Sequence, residues 1–165
     1  MNTPIIGIDP GPETSGYVVL WPSGVEIAVD KCENVDLFHR LRAAQFEAWP
    51  VVAIEDFITY QPVSADSRET IKWIGVFRFL CHLTRNWTVH EISRSTVKTA
   101  LCGRASGVTD ASVNAALYDL YGGSRKAAVG TRKCPGPLYG VTGHAWAALA
   151  VAVVCRQRME AEQGE

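Results

Sequence analysis

The chain has no long apolar run, no paired cysteine spacing and no excess of one charge, and each lack closes off a class of protein. Its longest apolar run, Ala145 to Cys155, is too short to span a bilayer. The N-terminus lacks the basic-then-apolar pattern of a signal peptide, so the expected location is cytoplasmic, with no membrane partner. Five cysteines (Cys32, Cys81, Cys102, Cys134, Cys155) are scattered, odd in number and never spaced Cys-x-x-Cys. That argues against both a disulfide frame and a zinc site. Lys and Arg total 16 against 17 Asp and Glu, a net charge of −1, so any polyanion site must come from local clustering. There is no internal repeat, heptad array or low-complexity tract.

What is present is a chain of 165 residues, 47% hydrophobic, enough for one domain with a proper core. Ile5-Ile6-Gly7-Ile8-Asp9 reads as a buried strand that ends in a carboxylate, followed by a Pro10-Gly11 turn and a returning strand from Tyr17 to Trp21. A carboxylate in an apolar sheet is costly to ionise without a cation beside it. Asp9 is therefore either a metal ligand or a cap for the turn after it. Val25, Ile27 and Val29 alternate as a third strand. Asp36 is the expected N-cap of a helix over 36–49, closed by Pro50. Val51-Val52-Ala53-Ile54-Glu55-Asp56 repeats the opening theme, a buried strand ending in acid. Alternation puts Glu55 and Asp56 on opposite faces, so only one can aim at Asp9.

Helical spacing of Ile71, Ile74, Phe77 and Cys81 predicts an amphipathic helix over 70–83. A fifth strand follows over 88–92, then a short helix from Ser93 or Ser95 through Lys98. Another helix is capped by Asp110 and ended by Gly122-Gly123. Residues 124–137, basic and rich in Gly and Pro, read as a mobile loop. A last helix begins near Gly143-His144, and residues 158–165 read as a frayed tail of a single domain covering 1–165. Strand, hairpin, third strand and then alternating helix and strand predict an α/β fold. Its mixed five-stranded sheet has three antiparallel strands and then parallel additions, flanked by helices, with Asp9 and Glu55 at one edge.

Several of these pieces, in this order, resemble the RuvC-type Holliday junction resolvases of the RNase H-like superfamily, notably the short forms of phages and prophages. The matching residues are Gly7-Ile8-Asp9-Pro10-Gly11 with Ser15-Gly16-Tyr17, Ala53-Ile54-Glu55-Asp56-Phe57, Ser64-Ala65-Asp66-Ser67, Ile74-Gly75, Val97-Lys98 and Gly143-His144-Ala145-Trp146 with the alanines that follow. The resemblance implies a homodimeric endonuclease that cuts four-way or other branched DNA with two Mg²⁺ or Mn²⁺ ions, without a small-molecule cofactor, in a bacterial cell or phage-infected host. Asp9 would bridge the ions and Glu55 would hold one of them. His144 matches a ligand position where such resolvases carry Asp or His, and a histidine there could also activate water. Lys98 matches a lysine found near the scissile phosphate in relatives. Tyr60 would stack on an unpaired base at the junction centre.

One position departs from the pattern. Ala147 stands where many members carry a fourth, carboxylate ligand. Either three ligands and water suffice, or Asp56 or Asp66 substitutes (Asp56 from the wrong face), or the chain is an inactive variant. The alternatives to junction cleavage are a branched-DNA-binding protein that has lost catalysis, and a nuclease of this fold acting on RNA or an RNA–DNA hybrid. For DNA contacts, the stretch from Arg94 to Lys133 holds Arg94, Lys98, Arg104, Arg125, Lys126, Arg132 and Lys133 against only Asp110 and Asp119. On the face holding Asp9 these would form a phosphate track.

Overall fold

The computed structural model describes residues 3–57 and 62–164. Strands β1 (Ile5–Asp9), β2 (Thr14–Trp21) and β3 (Gly24–Glu33) form an antiparallel meander, followed by helix α1 (Asn34–Ala43) and strand β4 (Val51–Asp56). Helix α2 (Ala65–Arg78) continues through a π-helical turn over Phe79–Thr84 into strand β5 (Thr88–Ser93). Helices α3 (Arg94–Cys102), α4 (Asp110–Gly122) and the short α5 (Arg125–Val129) follow. A small hairpin of β6 (Gly130–Thr131) and β7 (Cys134–Pro135) then leads to α6 (Ala145–Gln163). The main sheet has the order β3-β2-β1-β4-β5, and β4 runs parallel to both β1 and β5. This is the mixed five-stranded α/β sheet expected from the sequence.

Alternation splits the sheet into two cores. Ile6, Ile8, Val19, Val52 and Ile54 face α1 and α2, where they meet Leu37, Leu41, Ile74, Phe77 and Leu80. Ile5, Val18, Leu20, Val51 and Ala53 face α6. Helix α6 is apolar on all sides through its first three turns, with residues from Ala148 to Cys155 all buried, because α3 and α4 close over its outer side. On the α6 side the sheet presents glycines. A Cβ on Gly7 would lie 2.1 Å from the Ala148 carbonyl oxygen, and one on Gly16 would lie 2.5 Å from that of His144. The bare backbone at these two positions lets α6 lie directly on the centre of the sheet.

Several boundaries differ from expectation for local reasons. Helix α1 begins at Asn34, two residues before the predicted Asp36 cap, and stops at Ala43 where Ala44 turns extended (ψ 136°). Residues 44–49 are irregular, not helical. Thr109, not Asp110, caps α4, its hydroxyl accepting from the Ser112 N–H. The predicted loop over 124–137 is ordered into α5 and the β6–β7 hairpin. Its end is anchored by the Leu138 N–H on the Ala128 carbonyl (2.8 Å) and the Val25 N–H on the Pro137 carbonyl (3.2 Å). Helix α6 runs to Gln163, through most of the predicted tail. The five cysteines are free, and among the described residues no helix is long and apolar enough to cross a membrane.

Candidate active site

Asp9 ends β1, beside Glu55 near the end of β4: Ile8 pairs in register with Ile54, so the next residues on each strand are neighbours. Both share the face of Ile5 and Gly7, and of Val51 and Ala53, which is the face covered by α6. The loop after Asp9 is fixed from beneath by two buried polar residues. Ser15 Oγ donates to Asn34 Oδ1 (2.6 Å), Asn34 Nδ2 donates to the Gly11 carbonyl (3.0 Å), and the Asn34 N–H donates to the Glu13 carbonyl (2.9 Å). Ser15 is among the residues that carry the resemblance, whereas Asn34 did not stand out in the sequence.

His144 arrives from the other side as the residue preceding α6. Gly143 sits at φ +44°, and a Cβ there would fall inside the Asp30 carboxylate. Asp30, on β3, accepts the His144 backbone N–H, so the start of α6 is tied to the sheet by a carboxylate. The His144 Nδ1 lies 3.7 Å from Asp9 Oδ2, within ion-pair reach. Asp30 was not recognisable as a site residue from sequence, because nothing in a strand's pattern shows which helix end will come to it.

The third arrival is Arg94, the first residue of α3, whose cap is Ser93. Its Nε lies 3.5 Å from Glu55 Oε1, and its Nη2 donates to Asp110 Oδ1 at the start of α4. Its Nη1 is buried with no partner among the described residues. A cavity of about 870 Å³ opens over these groups, lined by Asp9, Glu55, Arg94, Asp110, His144 and Ala147 among others.

The electrostatics follow from two buried acids side by side. Burial pushes Glu55 up to about 8, helped by the negative charge of Asp9 and only partly offset by Arg94. Burial also raises Asp9, although a hydrogen bond from Glu55 and the positive charges of His144 and Arg94 pull against it. Side by side and buried, the two carboxyls are each pushed toward the neutral form. Burial acts to lower the pKa of Arg94, but Glu55 and Asp110 outweigh it, and the guanidinium stays charged.

Among the described residues no three His, Cys, Asp or Glu side chains already converge as metal donors. The donor set nevertheless suits a hard divalent cation: two buried carboxylates side by side, each pushed by burial toward its neutral form, with an imidazole alongside.

The sequence-predicted residues divide into three groups. Asp9, Glu55 and His144 come together, and Arg94 joins them as their counter-ion, not as part of an outer track. Lys98 is partly buried one turn further along α3 and does not line the cavity. Arg104 is exposed in the loop before α4. Arg125, Lys126, Arg132 and Lys133 are all exposed, but they lie beyond the far end of α4, about 20 Å from Asp110 by the rise of a 13-residue helix. Their segment is anchored at Val25, the opposite end of the sheet from Asp9. One face does not gather them all around the cavity. Tyr60 lies outside the described residues. Of the proposed substitutes for Ala147, Asp56 lines the cavity and Asp66 does not.

No protein-family model matches the chain, and no curated protein matches it by sequence. Solved structures do. The RuvC of Thermus thermophilus in complex with a Holliday junction substrate superposes with a TM-score of 0.66 at 20% identity, covering 96% of each chain. The structure of T. thermophilus RuvC alone gives 0.65 at 19% identity, covering 96% of this chain and 97% of that one. At such identity the likeness establishes the fold alone, which is the fold of RuvC.

Proposed function

We propose that this chain is a structure-selective endonuclease that hydrolyses phosphodiester bonds in four-way or other branched DNA. The observation that carries this reading is the meeting of Asp9, Glu55 and His144 beneath an open cavity, on a fold that matches a junction-bound RuvC over nearly its whole length. Asp9, Glu55 and His144 would hold Mg²⁺ or Mn²⁺, which when bound supplies Lewis acidity to the phosphate and the leaving oxygen. Asp30 and Gly143 fix the backbone of His144 at the start of α6, which keeps its ring beside Asp9. Arg94, which lines the cavity beside Glu55, would add positive charge where a phosphate enters.

Arg125, Lys126, Arg132 and Lys133, beyond the end of α4 that lies away from the cavity, would engage the arms of the junction. Two copies related by a two-fold axis would present one site to each of two opposed strands.

A second reading, junction binding without cleavage, is favoured by one feature. Ala147 offers the cavity only a methyl group, while Arg94 already partly neutralises Glu55. A gel assay with a labelled four-way junction, a duplex and an RNA–DNA hybrid in Mg²⁺ or Mn²⁺ separates these. Paired symmetric nicks in the junction are expected, lost at least about a hundredfold in Glu55→Gln, the scale of removing one directly stabilising group. A retarded but uncut junction supports the second reading. Cleavage of the hybrid alone overturns both.

A further inference from the structure

We propose that Asp110 supplies the carboxylate that Ala147 cannot, completing the cation site from α4 instead of α6. This rests on the metal-dependent reading above and deepens it. Two divalent ions bring four positive charges, and Asp9 with Glu55 brings at most two negative ones. A site of this kind therefore needs further anionic oxygen within reach. Ala147 faces the cavity without any donor, and Asp110 faces the same cavity from the start of α4. Asp110 is separated from Glu55 by a single guanidinium, since Arg94 contacts Glu55 through Nε and Asp110 through Nη2. Arg94 thus stands between the Glu55 and Asp110 carboxylates, as a built-in cation. The Asp110 side chain is 76% exposed, which leaves it free to turn inward when a divalent ion takes that place.

Asp110 is not needed as a helix cap, because Thr109 fills that role, so its carboxylate is available for other work. Asp56 lines the cavity too, but it is the last residue of β4 and belongs by alternation to the opposite face from Glu55.

The test is Mn²⁺ binding to the full-length chain without DNA, read by calorimetry and by the Mn²⁺-induced rise in melting temperature. Arg94→Ala is the reference background, so that loss of Arg94's partner cannot be mistaken for loss of a ligand. In that background Asp110→Asn is expected to weaken Mn²⁺ at least about tenfold, as removal of groups supporting a metal does. Asp56→Asn, the same charge change at the same cavity, should leave affinity within about twofold, and adding Ala147→Asp to Asp110→Asn should restore it. Restoration also shows that the loss was not misfolding. Unchanged affinity in Asp110→Asn, or the larger loss in Asp56→Asn, overturns the assignment while the metal site stands. Failure of the Arg94→Ala protein to bind Mn²⁺ in a way that Asp9→Asn abolishes overturns the metal reading itself.

Discussion

The two faces of the central sheet are built from the same strands and do different work. Toward α1 and α2 the strands present Ile6, Ile8, Val52 and Ile54, all fully buried, and the helices rest on bulky side chains such as Phe77 and Leu80. Toward α6 the same strands present Gly7, Gly16 and Ala53, then Asp9 and Glu55 where the covering ends. The first face tolerates loss of volume at a graded cost, because a side chain fills the gap between the layers. At Gly7 and Gly16 the second depends on the absence of side chains, because the α6 backbone already occupies that space. Close approach carries the start of α6 to within reach of Asp9, so the thin face is also where chemistry can be assembled.

The contrast is broken most severely by Gly7→Val. Its Cβ alone would fall 2.1 Å from a helix carbonyl, so α6 must leave the sheet, and no folded protein is expected in circular dichroism or thermal melts. Phe77→Ala on the opposite face should cost about 3–5 kcal/mol in denaturant unfolding yet leave a folded protein with unaltered Mn²⁺ affinity. A Phe77→Ala protein that folded no better than Gly7→Val would erase the distinction.

Asn34→Ala comes next. It strips Ser15 of its acceptor and frees the Gly11 carbonyl, a loss of about 1–3 kcal/mol from orphaned buried polar groups. It should also weaken Mn²⁺ binding, because the loop after Asp9 is no longer held.

The smallest effect is on pH dependence without metal. Folded Glu55 holds its proton up to about 8, whereas unfolded glutamate releases it near 4.5. Between those values the folded state binds more protons, so its stability falls as pH rises, and the loss is complete above about 8. Glu55→Gln should flatten this decline and melt a few degrees above the parent at pH 8.5 in chelator, with little difference at pH 4. A mutant that declined as steeply as the parent would remove Glu55 as the source.

Strand alternation made much of this legible in advance. The repeated strand-then-acid pattern placed Asp9 and Glu55 on one edge, while parity said only that one of Glu55 and Asp56 could face Asp9; the register of β1 with β4 makes it Glu55. Helix ends were read less well where the deciding force was not local. Nothing between Ala44 and Trp49 breaks a helix by propensity, yet the chain turns extended there so that Phe46 can pack edge-on against Trp87 from the end of the π-helical turn. Residues 124–137 read as loop because their order comes from backbone bonds to Ala128 and Val25, which composition does not show.

The sequence by itself determined the sheet, its two faces and the pair of acids, because a period of two and a run of apolar residues are properties of neighbours along the chain. Tertiary structure alone decided which charges reach that pair. Arg94 and Asp110 lie 16 residues apart, and Asp30 and His144 lie 114 apart. Which of the chain's basic and acidic residues stand over Asp9 depends on where α3, α4 and α6 pack, and helix packing is set by the whole surface beneath them. By that packing Arg94 joined the acids, Lys98 stayed outside, and Ala147 and Asp110 came to line one cavity.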